Sequence, residues 1–405
     1  MNTHKLNLRV HSLLPDRQQG LSLVELMVAL IIGLILTAGV ISVYLTSKKS
    51  YSSDTGLAQV QENGRFALSF LEPVVRMAGF EGCVTPRKAN PTSIITGATG
   101  NPLYDYSVSG SGVADPTSAT VIGYDAVGTD INDSITLTAS QSLASASGGQ
   151  GAASWTPAVD SASAQSIYST ISGLALTNSD ILVVHEASAD NVPVVDNPAG
   201  SGTYNQTTGI YIPSSDVTDF TVGQLAILSD CEKATLFQIT GNSGGSGPLT
   251  YADSASPGNG GWSGTYNDGS RVSAAQTYVY FIGLSSTDQT PALFQVELAS
   301  NGQLDTPTEL VPDIENMQIL YGVDTDSDHV PNRFVSASTV NANGDWNNVV
   351  AVRIALLARS DDKVADAAPA TAPSFDLNGV TVTTPIDRRI RRTFVQTIAL
   401  RNMLP

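Results

Sequence analysis

The sequence predicts an α+β chain: one long hydrophobic amino-terminal helix, then a large β-rich globular head. Three observations carry this reading. An uncharged run, LMVALIIGLILTAGVISVYL, occupies Leu26 to Leu45. Apolar residues then recur at helical spacing as far as Met77. Beyond that point, short runs of β-branched and aromatic residues alternate with loops rich in Gly, Ser and Asn.

The uncharged run is long enough to cross a bilayer core of about 30 Å as a helix. A secretory signal peptide has a shorter apolar region, about 7–15 residues, followed by an A-x-A-like site. The run therefore predicts a membrane-inserted span. Glu25 stands just before it, where an unpaired buried carboxylate costs at least a few kcal/mol. Either Glu25 lies at the headgroup level or it awaits a positive group from a partner. Lys5, Arg9 and Arg17 flank one side and Lys48 and Lys49 the other, so charge counting leaves the orientation open.

Past the span, Leu57, Val60, Ala67, Leu71 and Val74 form one stripe, with Phe66, Phe70 and Met77 beside it. That periodicity predicts that the helix continues and packs on its own domain. Gly56 and Gly64 weaken it locally, and Pro73 predicts a kink. In the head, DILVVHE (180–186), GIYIP (209–213), ATLFQIT (234–240), QTYVYFIGL (276–284) and MQILYGV (317–323) read as strands, and Ser145 to Ser154 as a loop. No internal repeat is evident.

With 405 residues, 41% of them hydrophobic and 14% charged, the chain buries a sizeable core. Lys and Arg total 20 against 37 acids, a net charge of −17, which argues against a nucleic-acid surface, for which a basic face is needed, and suits divalent cations.

The residues Gly20-Leu21-Ser22-Leu23-Val24-Glu25 resemble the prepilin processing site of type IV pilins, in which glycine ends the leader and glutamate is fifth in the product. Leu21 replaces the commoner phenylalanine. The resemblance implies a leader over 1–20, removed by a prepilin peptidase that also methylates the new amino group on Leu21, and a transmembrane spine helix over 21–79. It implies an extracytoplasmic head over 80–405, and that Glu25 pairs with the free amino terminus of a neighbouring subunit. Losing the leader, with Lys5, Arg9, Arg17 and Asp16, takes the formal charge from −17 to −19.

The segment Gln61 to Cys83, the strand-like NNVVAVRIALLAR (Asn347 to Arg359) and the ending RRIRRTFVQTIALRNMLP (Arg388 to Pro405) are similar to minor pilins of the PilW family. The resemblance nearly vanishes over 84–310, which leaves room for an inserted lobe. It implies a minor pilin, not an enzyme, that initiates or caps a type IV pilus and so supports adhesion, twitching motility and DNA uptake. The implied partners are other minor and major pilins, the prepilin peptidase, the inner-membrane assembly platform and a PilY-type tip adhesin. The implied location is the inner membrane with the head in the periplasm, then the fibre, at its tip. A type II secretion pseudopilin shares the processing logic, and a pilin-anchored adhesin or enzyme would use the same anchor.

Cys83 and Cys231 form no C-x-x-C pair, so zinc and thioredoxin-like chemistry have no support. In an oxidising compartment they read as a disulfide, contributing roughly 3–5 kcal/mol; the alternative is two separate buried thiols. Gly241-Asn242-Ser243-Gly244-Gly245 matches G-x-S-x-G, but turn formers follow it instead of a helix, and neither His185 nor His329 has a triad context. Trp155, Trp262 and Trp346 form no readable cluster. In VDTDSDHVPNRF, alternate acids Asp324, Asp326 and Asp328 suit calcium, with Val330 giving a carbonyl and Asn332 a further oxygen. His329 stands where an EF-hand wants glycine and Val335 where it wants glutamate. The loop resembles one in PilW-type sequences and reads either as a calcium site or as a solvated acidic turn.

Overall fold

The computed structural model describes residues 22–82, 92–93, 120–138, 142–144, 154–159, 167–195, 209–242, 248–251, 266, 269–301, 303–361 and 368–403. Helix α1 runs unbroken from Leu23 to Met77, 55 residues and about 80 Å. The chain divides into two units, 1–54 and 55–405.

In the first unit, α1 carries no charge from Leu26 to Leu45, and its side chains are exposed from Leu23 to Tyr51. The hydroxyls of Thr37 and Thr46 donate to the carbonyls of Gly33 and Ser42, at 2.7 and 2.9 Å. Both threonine hydroxyls are thereby satisfied one turn back, as a lipid environment demands.

In the second unit the elements follow as β1 (Thr92–Ser93), β2 (Val121–Ala126), β3 (Ser134–Thr136), β4 (Trp155–Thr156), α2 (Ile167–Ile171), β5 (Ile181–Pro193) and β6 (Leu225–Ser229). Next come β7 (Ala234–Asn242), β8 (Leu249–Tyr251), β9 (Arg271–Leu284), β10 (Pro291–Glu297), β11 (Thr308–Pro312) and β12 (Ile314–Val323). The last are β13 (Arg333–Val335), α3 (Ala337–Asn343), β14 (Val349–Arg359), β15 (Ser374–Leu377), β16 (Val380–Thr383) and β17 (Arg391–Ala399).

A ten-stranded sheet draws all its strands from residues 92–312, in the order β1-β7-β6-β9-β5-β2-β4, with β10 on β9, β11 on β10 and β8 on β7. A four-stranded sheet, β13-β12-β14-β17, uses only residues 314–399. Hairpin β15–β16 pairs in parallel with β3 as a third sheet. The helix face of Val60, Gly64, Ala67, Leu71 and Val75 packs into one core with Ile314 to Val323, Val349 to Ala358 and Ile398.

Several expectations change here. Gly64 has a packing reason beside its low helix propensity: a Cβ there would collide with the Phe394 ring of β17, so glycine lets helix and sheet approach closely. Helix α1 continues through Pro73 for another turn. The second apolar stripe is not buried throughout, since Phe66 is 52% exposed and stacks edge-on against Phe70. GIYIP is not a strand; Ile210 makes a single bridge to Leu249. Most of the Ser145 to Ser154 loop lies outside the described residues.

Candidate assembly elements

Of the processing residues, Gly20 and Leu21 lie outside the described residues, and Glu25 is exposed in the first turn of α1. Glu25, the one acid between Leu23 and Tyr51, thus stands at the end where the apolar run starts.

At the carboxyl end, the RRIRR segment builds an ion network that reading by motif did not reveal. Arg391 donates from Nε and Nη2 to Glu315, at 2.6 and 3.0 Å, and from Nη1 and Nη2 to Asp387, at 2.7 and 2.9 Å. Both side chains of the Arg391–Glu315 pair are 2% exposed. Arg359 joins from β14, reaching Asp313 at 3.2 Å and Glu315 at 3.4 Å. The paired guanidinium of Arg391 holds the Asp387 carboxyl below its usual range against the opposing effect of burial.

A second polar cluster joins the two larger sheets. The outer backbone edge of β12 pairs with β13 only at Tyr321 to Val323. Lower down, Ser179 and Asp180 take the place of a strand. Ser179 Oγ accepts from Met317 N at 3.0 Å, Asp180 N donates to Met317 O at 3.0 Å, and Asp180 Oδ2 accepts from Ile319 N at 2.8 Å. Asp180 Oδ1 accepts from Ala126 N of β2 at 2.9 Å. Burial, then the nearby Asp125 carboxylate, push the Asp180 carboxyl well up. Asp125 itself is pushed up to about 6 by burial, while it accepts from Ala337 and Ser338 at the start of α3.

Where α1 ends against β5, burial pushes the Glu81 carboxyl up to about 7, and its Oε2 has no hydrogen-bond partner. The sign follows from this. A raised carboxyl pKa favours the protonated folded form, so stability falls as pH rises from about 4.5 to about 7 and stays low above that. Nearby His185 is pushed down to about 4 by burial, so its own loss of stability falls below pH 6.5. Glu81→Gln is therefore expected to raise the melting temperature at pH 8 and to have little effect at pH 4.5; an equal shift at both pH values would contradict this.

The acidic loop is a tight turn. Oxygens of Asp324, Asp326 and Asp328 lie within 4.8 Å of one another. Asp324 is buried, and its carboxylate accepts the backbone N–H groups of Asp326, Ser327 and His329 at 3.2, 2.7 and 3.0 Å. Asp328 accepts from Val330 N at 2.8 Å. Asn332 Oδ1 accepts from Thr325 N at 2.6 Å, and its Nδ2 donates to Asp326 at 3.2 Å. Ser327 and His329 have φ of 64° and 66°. His329 thus adopts the left-handed conformation that an EF-hand assigns to glycine. The oxygens left facing outward belong mainly to the exposed Asp326 and Asp328.

Of the G-x-S-x-G run, Gly241 and Asn242 end β7, and Ser243 to Gly245 lie outside the described residues. His185 is held by Thr277 Oγ1, 2.9 Å from its Nδ1, and His329 sits in the acidic loop. Cys231 is exposed in the bend between β6 and β7 and is not a free thiol. Cys83, its expected partner, lies outside the described residues.

Residues 279–402 match the family model of the Type IV Pilus-assembly protein W, and residues 15–41 match that of the prokaryotic N-terminal methylation motif. Among solved structures, the type IV-like pilin TTHA1219 from Thermus thermophilus is similar at 15% identity, over 46% of this chain and 87% of that one, with a TM-score of 0.21. No curated protein matches the chain.

A methylation motif, an apolar helix and a β-rich head define a membrane-anchored, type IV pilin-like protein. Within that class, the similarity over residues 279–402 is to the PilW family of pilus-assembly proteins.

Proposed function

We propose that this chain stands at the end of a type IV pilus, where it joins other minor pilins to initiate or cap the fibre. Through that role it supports adhesion, twitching motility and DNA uptake. The observation that carries this reading is a compact head of residues 55–405 on one apolar helix. A head so bulky is easier to place once, at a tip, than in every turn of a filament. A prepilin peptidase cuts after Gly20 and methylates Leu21, the assembly platform draws the span from the inner membrane with the head in the periplasm, and a PilY-type adhesin sits beyond it. Glu25 then pairs with a neighbour's amino terminus, since an unpaired carboxylate is costly among apolar helices.

Antibody-labelled electron microscopy of sheared fibres tests this, comparing wild type with Glu25→Ala. Label at fibre ends, lost in the variant while processed protein builds up in the membrane, is the expected result. Label along the whole length, or confined to a secretion pseudopilus, would contradict it.

Two further assignments belong to this reading. The partner of Cys231 is Cys83. In support, the chain just before Cys83 lies against β6: a Cβ at Gly82 would come 2.6 Å from Ser229 Oγ, two residues before Cys231. On the far side of Cys83, Thr92–Ser93 pairs with β7 at Thr235 and Leu236. Peptide mapping without reductant should recover the cross-linked pair.

The acidic loop binds calcium through Asp324, Asp326 and Asp328, with Val330 and Asn332 completing an oxygen-only set. Its support is the convergence of three carboxylates within 4.8 Å. Calcium should raise the melting temperature of the wild-type protein and leave the Asp326→Asn, Asp328→Asn double variant unchanged. Identical wild-type melting curves in calcium and in chelator would reduce the loop to a solvated turn.

A further inference from the structure

We propose that the edge of β17 left unpaired among the described residues is a docking site for an extended, acid-rich segment of another pilin head, which adds to the four-stranded sheet as a further strand. The proposal rests on the membership of this chain in a pilin assembly.

Strand β17 ends the order β13-β12-β14-β17, and among the described residues it pairs only with β14. It does so over nine consecutive residue pairs, Arg391 to Ala399, with no bulge. It contains no proline. A long, regular, unpaired edge is what folded proteins ordinarily avoid by shortening, bulging or covering it. This same sheet does so at its other side, where β13 is three residues long and Ser179 and Asp180 cover the rest of β12.

One face of β17 is occupied. Phe394 lies against Gly64, Gln396 donates to Glu72 at 2.8 Å, and Ile398 is in the core. The opposite face carries Thr393, Val395, Thr397 and Ala399, all exposed. Hairpin β15–β16 covers the neighbouring Ala355 and Leu357 of β14 and approaches β17 through β15, yet Val395 remains 54% exposed. Hairpin, edge and bare apolar side chain together make a ledge one strand wide.

Charge selects the occupant. From Arg388 to Pro405 there are five arginines and no acid, in a chain with 37 acids against 20 basic residues. Arg389 and Arg391 are engaged with Ser360, Glu315 and Asp387, whereas Arg388, Arg392 and Arg401 are exposed around the strand. A basic rim on an open edge favours an acidic strand: the main chain supplies affinity through hydrogen bonds, and the opposite charges set register and choice of partner. A second copy would bring the same basic edge to this one.

Site-specific photo-crosslinking on the full-length chain in cells tests the proposal, with Val395→p-benzoylphenylalanine as the probe and adducts mapped in both membrane and sheared-fibre fractions. The expected result is an adduct to an extended segment rich in Asp and Glu in a different pilin-like chain. Its yield should fall roughly fivefold or more in Arg392→Glu and be kept in Arg392→Lys. An adduct to β17 of a second copy, an adduct within the same chain, or none in either fraction would overturn it. If the chain is missing from fibres yet forms the acidic-strand adduct in the membrane, the fibre-end reading fails and the edge proposal stands.

Discussion

Arg391→Ala is expected to destabilise the head by about 3–5 kcal/mol, read as a shift in the denaturant midpoint. The reason is what the truncation leaves behind. Glu315 is 2% exposed, and without Arg391 its remaining cation is Arg359 at 3.4 Å. A buried carboxylate so poorly paired forfeits its solvation without a compensating interaction. Arg391→Lys should recover only part of the loss, because an ammonium cannot hold Glu315 and Asp387 through the planar fork that the four bonds use. Replacing the exposed Arg392 by Ala should change stability by about 0.5 kcal/mol or less. Equal effects at 391 and 392 would contradict the network.

The second large effect is expected at Asp180. Its carboxylate accepts two backbone N–H groups, Ala126 at 2.9 Å and Ile319 at 2.8 Å, from strands of different sheets. Asp180→Ala leaves both donors buried and unmatched, at a cost of about 2–4 kcal/mol in all. Asp180→Asn keeps one acceptor oxygen for one of the two amides, so its loss should be smaller than that of Ala. If Asn proves as damaging as Ala, the role of the two amide contacts is wrong.

These two sites also mark what could not be read from the chain. The span was legible because a bilayer imposes a composition that stands alone: twenty residues without charge need no tertiary partner to explain them. Strands β9, β12 and β14 were legible because each holds a run rich in β-branched, aromatic and aliphatic residues, as a strand buried on both sides requires. The methylation motif was legible because its meaning is local. Glu315 and Arg391 are 76 positions apart, and nothing near either residue announces the other. Asp180 was visible only as the first letter of a strand. Gly64 looked like a helix defect because propensity counts the helix alone, whereas the Phe394 ring that it accommodates lies in the last strand. GIYIP had strand composition without a second run to pair with, and composition by itself does not supply a ladder.

Under the proposed function, this chain becomes a pilus subunit by processing at the start of its apolar helix. Intact-mass analysis of the protein recovered from sheared fibres tests it most directly. The expected species begins at Leu21, lacks residues 1–20 and carries one additional methyl group on its amino terminus. A full-length chain, or one cut at any other bond, would contradict the account.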